Sequence, residues 1–169
     1  MYIILFSSII LIFTSCTPAT VSNQPCSYPT TTKNYQVNSS ARNTCLNFVW
    51  PLQGEIVNSF GANVNHTSNK GINIKANSQD IVIASESGQA VFADYITGWG
   101  KTLILKHANN FYTVYANLDD IKVREGFLVK RGESVGRVAR LASDKEGVLH
   151  FEIRKKHLAD NPLRYLKVN

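Results

Sequence analysis

The chain carries four histidines, His66, His107, His150 and His157, and three cysteines, Cys16, Cys26 and Cys45. Imidazole and thiolate are the side chains that most readily hold a transition metal or move a proton near neutral pH. No two cysteines form a CxxC pair, so neither a zinc ribbon nor a redox dithiol is indicated. Cys26 and Cys45 enclose a short polar loop and could pair in an oxidising compartment, a question that sequence leaves open. Lys70 stands four residues after His66 where a His-x-x-x-Asp metal pair would need an acid. The most informative segment is Val148-Leu149-His150-Phe151-Glu152-Ile153-Arg154, which alternates cleanly. Successive strand side chains point to opposite faces, so Leu149, Phe151 and Ile153 line a core while Val148, His150, Glu152 and Arg154 share the other face.

Strands are the elements that must position these groups. Apolar residues come in short runs rich in Val, Ile, Phe and Tyr, cut by Gly and Asn, and no long amphipathic helix stands out. Residues 81–84, 90–93, 102–106, 111–116 and 148–154 read as strands. Turns fall at Ser87-Gly88, Gly98-Trp99-Gly100, Asn109-Asn110, Glu125-Gly126 and Arg131-Gly132. Short turns between successive strands imply antiparallel pairing. With 169 residues, 44% of them hydrophobic, the chain can bury one core without metal or many disulfides. The expected fold is all-β, an antiparallel β-sandwich or barrel-sandwich with a groove, spanning residues 48–169.

Ahead of that domain, residues 17–47 are dominated by Thr, Ser, Asn, Gln and Pro and read as a flexible tether. No coiled coil, internal repeat or second wall-binding module is expected. Residues 1–15 are uncharged and mostly apolar, the length of a signal h-region and short of the roughly 20 residues that a membrane span needs. The step Thr14-Ser15-Cys16 resembles the lipobox of bacterial lipoproteins, in which Cys16 becomes the lipidated N-terminus of a chain 16–169. The blander alternative is an ordinary cleaved leader with an incidental cysteine. Thr17 after the cysteine implies sorting to an outer membrane, facing the periplasm. The formal charge of +6 suits an anionic partner such as peptidoglycan carboxylates or lipid headgroups. Export, and the lack of basic runs with interleaved aromatics, disfavour nucleic acid.

Taken in order, several short pieces share one pattern. They are Trp50-Pro51-Leu52-x-Gly54, Phe60-Gly61, Lys70-Gly71-Ile72-x-Ile74, Gly98-Trp99-Gly100, Lys106-His107, Thr113-Val114-Tyr115-Ala116, Val129-x-Arg131-Gly132, His150-Phe151-Glu152-Ile153-Arg154 and Asn161-Pro162-Leu163. Their order and spacing resemble the lysostaphin/LytM-type zinc peptidases, a fold also described as a duplicated hybrid motif. In active members, the resemblance implies, the positions of Asn69 and Asn73 hold a zinc-binding His and Asp, and His150 is the third ligand. The same resemblance puts catalytic histidines at the positions of Asn117 and Val148.

Four of those five positions have changed type. A catalytic zinc takes three N, S or carboxylate ligands and an open water position. Neutral amides are poor zinc ligands, and neither Asn117 nor Val148 can move a proton near neutral pH. The expectation is therefore a non-catalytic member with no metal or other cofactor, similar to the NlpD/EnvC type. That resemblance implies a vacated groove that docks and activates a cell-wall amidase in daughter-cell separation. Asn69, Asn73, Asn117, Val148 and His150 are expected at its floor, with Trp99 and Tyr115 at its rim. Two alternatives are a peptidoglycan-binding module and a residual zinc metalloendopeptidase.

Overall fold

β-Branched and aromatic residues fit a pleated, half-buried surface, and Gly, Asn and Asp between them supply the turns. The computed structural model describes residues 46–140 and 146–167. The expectations for the leader at 1–15 and for Cys16, Cys26 and Cys45 lie outside the described residues. Twelve strands are present among those described: β1 (Ile56–Asn58), β2 (Asn63–Val64), β3 (Thr67–Ser68), β4 (Ile72–Asn77), β5 (Ile81–Ile83), β6 (Gly88–Ile96), β7 (Gly100–Lys106), β8 (Phe111–Ile121), β9 (Leu128–Val129), β10 (Ser134–Val138), β11 (Glu146–Lys155) and β12 (Leu158–Asp160). Only two short 3₁₀ turns, Ala108–Asn110 and Pro162–Arg164, interrupt them among the described residues.

Ten strands form one antiparallel sheet whose main path runs β1-β4-β11-β8-β7-β6-β9, and β2 and β3 form a separate hairpin. The long strand β8 makes this sheet fold over on itself. From Phe111 to Ala116 it pairs with β11, and from Leu118 to Ile121 it pairs with β10. The change of partner falls at Asn117, whose φ of 61° is left-handed. A short polar side chain tolerates that conformation far better than a β-branched one. β10 then carries β5 as its second neighbour, so the sheet forks at Asn117 and encloses its own apolar face.

That enclosed face is the core. Leu149 pairs with Ile74, and Phe151 with Ile72 on one side and Tyr115 on the other, all of them buried. Burying each such side chain contributes about 1.5–3 kcal/mol. The alternation read in β11 is present: Leu149, Phe151 and Ile153 are fully buried.

The first and last described segments meet. Phe48 and Leu166 form a parallel bridge, and the Trp50 indole N–H donates to the Lys167 carbonyl at 2.8 Å. Leu46 packs against the core, and the Asn47 N–H donates to Glu86 Oε2 at 3.1 Å. Leu46 and Asn47, which sequence assigned to the tether, thus contact the domain.

Candidate functional site

A cavity of about 310 Å³ opens where the sheet forks. Its floor is built by β4, β8 and β11, one wall by the turn carrying Gly98 and Trp99, and the other by the β2–β3 hairpin. Close approach of the chain at Gly71 sets the floor: a Cβ there would stand 2.1 Å from the Phe151 carbonyl oxygen. Any other residue would push the Asn69-Lys70 corner away from β11. Opposite, the turn at Trp99 is fixed by its N–H donating to the Ile96 carbonyl at 2.9 Å, and the Asn117 N–H donates to the Trp99 carbonyl at 2.8 Å.

His150 stands at the centre. Asn73 Nδ2 donates to Asn58 Oδ1 at 3.1 Å, which leaves Asn73 Oδ1 to accept from His150 Nδ1 at 2.7 Å. The other ring nitrogen, Nε2, lies 3.2 Å from Glu152 Oε1. Glu152 is fully buried, and its second oxygen accepts from Arg154 Nη1 at 3.0 Å. Arg154 in turn donates from Nη2 to the His157 carbonyl at 2.9 Å. A buried carboxylate is tolerated only when paired and hydrogen-bonded in this way. The Trp99 ring meets the imidazole edge-on, with centroids 5.0 Å apart. Both nitrogens and one edge of His150 are therefore engaged by protein.

Asn69 is also committed locally. Its Nδ2 donates to the carbonyls of Asn58 and Ser59 at 3.3 and 3.1 Å, and its Oδ1 accepts from the Gly71 N–H at 3.4 Å. Among the described residues, no three His, Cys, Asp or Glu side chains gather so as to hold a metal. One imidazole, one carboxylate already paired with arginine, and two amides occupied by backbone and side-chain partners do not fit the zinc ion of the active peptidases. What else lines the cavity is the Lys70 ammonium, the hydroxyls of Thr67 and Ser68, the amide of Asn117 and the indole of Trp99.

Asn69, Asn73, Trp99, Asn117 and His150 all line this one cavity. Val148 is half-buried on the same strand face two positions from His150, where it pairs with Lys75, and lies outside the cavity wall. Tyr115 corrects an expectation. Placed by sequence at the rim, it is fully buried, because the register sets it between the core residues Phe151 and Leu103. Its hydroxyl accepts from the Ser85 N–H at 2.8 Å and lies 3.1 Å from Thr113 Oγ1, which lies 2.7 Å from His107 Nε2. Burial raises the pKa of Tyr115. Burial likewise lowers that of His107, against the opposing pull of the Ser87 carbonyl and Glu86. These two groups form a structural relay away from the cavity.

Sequence reasoning did not single out Glu152, Asn58 or the hairpin wall as parts of the site. For Glu152 the signal was present, since strand alternation put it on the face of His150. Asn58 and the hairpin lie in strands of three residues or fewer, too short for a periodicity to show.

Comparison with known proteins agrees with this fold. Lysostaphin of Staphylococcus simulans superposes with a TM-score of 0.62 at 21% identity, covering 72% of this chain and 54% of that one, a likeness of fold. Murein hydrolase activator NlpD of Escherichia coli (strain K12) is 36% identical over 118 residues, 69% of this chain and 30% of the relative. Outer membrane antigenic lipoprotein B of Haemophilus influenzae is 32% identical over 156 residues, 83% of this chain and 38% of the relative. The chain thus matches about a third of the length of these two relatives. The family model described as Peptidase family M23 matches residues 67–162, more than half of the sequence, and this match places the chain in Peptidase family M23.

Proposed function

We propose that this domain does not hydrolyse peptide bonds but docks a peptidoglycan amidase and activates it during cell-wall remodelling or daughter-cell separation. The observation that carries the proposal is the closed hydrogen-bond chain Asn58–Asn73–His150–Glu152–Arg154. It holds His150 with its own neighbours and leaves no residue poised to bind zinc or activate water. The groove then serves as a docking floor made of Asn69, Asn73, Asn117 and His150, with Trp99 as the aromatic anchor that interfaces favour and Val148 as a flanking contact. The name of the relative NlpD, a murein hydrolase activator, supports the same function. A leader expected at residues 1–15, just before Cys16, and a relative named as an outer membrane lipoprotein support a lipid anchor on the outer membrane, with the domain facing the periplasm.

The deciding experiment adds the purified full chain, and its Trp99→Ala variant, to amidases of the same organism acting on sacculi. Stimulation by the wild type that is lost in the variant is the expected result. Absence of stimulation by correctly folded wild type would sink the proposal.

Direct gripping of peptidoglycan is a second use that the lining favours, since Lys70 can meet a stem-peptide carboxylate among hydrogen-bonding amides. Cosedimentation of the chain with sacculi at low salt tests it, and a chain left in the supernatant rejects it.

A further inference from the structure

Among the described residues β9 ends the sheet path and pairs on one side only, with β6. At its start two consecutive large apolar side chains point into solvent: Phe127 is 62% exposed and Leu128 79% exposed. Their backbone is held firmly. The Gly126 N–H donates to the Ala90 carbonyl at 2.8 Å, the Ala90 N–H donates to the Phe127 carbonyl at 2.9 Å, and Gln89 Nε2 donates to the Gly126 carbonyl at 3.0 Å. Val129 beneath them is buried and anchors the strand. The exposed pair is flanked by four cations, Lys122, Arg124, Lys130 and Arg131, against two carboxylates, Glu125 and Glu133. Glu133 accepts from the Lys130 backbone N–H.

The chain enters the domain at this same edge. Arg131 Nη1 donates to the Asn47 carbonyl at 3.3 Å and lies 3.8 Å from Glu86 Oε2, the oxygen that also accepts from the Asn47 N–H. The Arg131 N–H donates to Ser87 Oγ at 2.9 Å. Residues leading to Cys16 therefore join the domain beside the basic, apolar-tipped edge.

The geometry points to this edge as a docking surface for an anionic phospholipid bilayer, with Phe127 and Leu128 entering the headgroup boundary and Lys122, Arg124 and Lys130 meeting lipid phosphates. Apolar side chains on a rigid support, ringed by cations, are the chemistry of an interfacial contact. The orientation rests on the lipid anchor proposed at Cys16. About 30 residues separate Cys16 from the domain, so an anchor there raises the effective concentration of the edge at the bilayer. A contact too weak to act alone is thereby engaged.

The test uses the full chain carrying Phe127→Trp, with Leu128→Trp as a second variant, mixed with vesicles of phosphatidylcholine with or without phosphatidylglycerol. Flotation reads membrane association as a whole. Quenching of the new indole by brominated lipid, above the background of Trp50 and Trp99, reads this edge. Quenching that requires phosphatidylglycerol, and that weakens about fivefold for Lys130→Ala or Arg124→Ala, is the expected result. Flotation without added quenching overturns the docking surface and leaves the anchor standing. Failure both to float and to be quenched overturns both. Concentration-dependent burial of the new indole without lipid assigns the edge to a second copy of the chain and equally overturns the proposal.

Discussion

Asn73 and His150 are cross-strand partners on β4 and β11, and the 2.7 Å contact between Asn73 Oδ1 and His150 Nδ1 ties the groove floor together. The resemblance to active zinc peptidases would instead have these two positions converge on an ion.

Restoring the chemistry at two positions should restore metal binding. Asn69→His with Asn73→Asp gives His150 the two partners that a zinc site needs. At 100 times its dissociation constant, zinc would stabilise the double variant by about 2.7 kcal/mol, seen as a metal-dependent rise in Tm that a chelator reverses. Wild type should show no such rise. A double variant indifferent to zinc would mean that these residues do not occupy ligand positions.

Glu152 is expected to matter for stability rather than catalysis. Glu152→Ala leaves Arg154 and His150 without their common acceptor, at a cost of about 2–3 kcal/mol, the partial exposure of Arg154 screening part of a larger penalty. Glu152→Gln should cost less, since the amide oxygen still accepts one bond. Urea denaturation measures both, and a loss below about 0.5 kcal/mol for the alanine variant contradicts a structural role.

His107 predicts a pH dependence with a definite sign. Its pKa in the folded protein is depressed below 6.5, with burial as the largest cause. The unfolded chain therefore takes up the proton first as pH falls, and this contribution to stability is complete above about pH 6.5 and lost as pH drops toward the folded pKa. The urea midpoint of wild type should fall between pH 7.5 and pH 5. In His107→Gln the fall should be smaller. Parallel pH profiles for the two proteins would refute the assignment.

Trp99 and Tyr115 should separate cleanly. Tyr115→Phe strands the buried Ser85 N–H and costs about 1–3 kcal/mol without altering amidase stimulation. Trp99→Ala should remove stimulation with little loss of stability. The opposite pattern would move the docking surface away from the cavity.

The contrast between these two aromatics shows what sequence made legible. β11 was readable residue by residue, because Leu149, Phe151 and Ile153 alternate with polar neighbours over a long strand. β8 was read only to Ala116, yet it runs to Ile121, because Asn117, Asp119 and Asp120 look like loop residues. Local propensity does not register that Asn117 absorbs a left-handed conformation so that the strand can change partners. At that unread bend lies the cavity, while Tyr115 two residues earlier faces Phe151 and Leu103 in the core. β4 was equally hidden: Ile72, Ile74 and Ala76 are buried, but Asn73, Lys75 and Asn77 between them dilute its strand propensity. Long-range pairing chose its state.

The bridge between Phe48 and Leu166 has a mechanical meaning. Any pull arriving from the N-terminal side enters the domain at the segment joined to Leu166 and Lys167, so the load falls first on the Phe48–Leu166 bridge and the Trp50–Lys167 bond. The strands that shape the groove lie behind that clasp. Single-molecule pulling from residue 46 should rupture it as a first event, and Trp50→Phe, which removes the indole bond, should lower the rupture force.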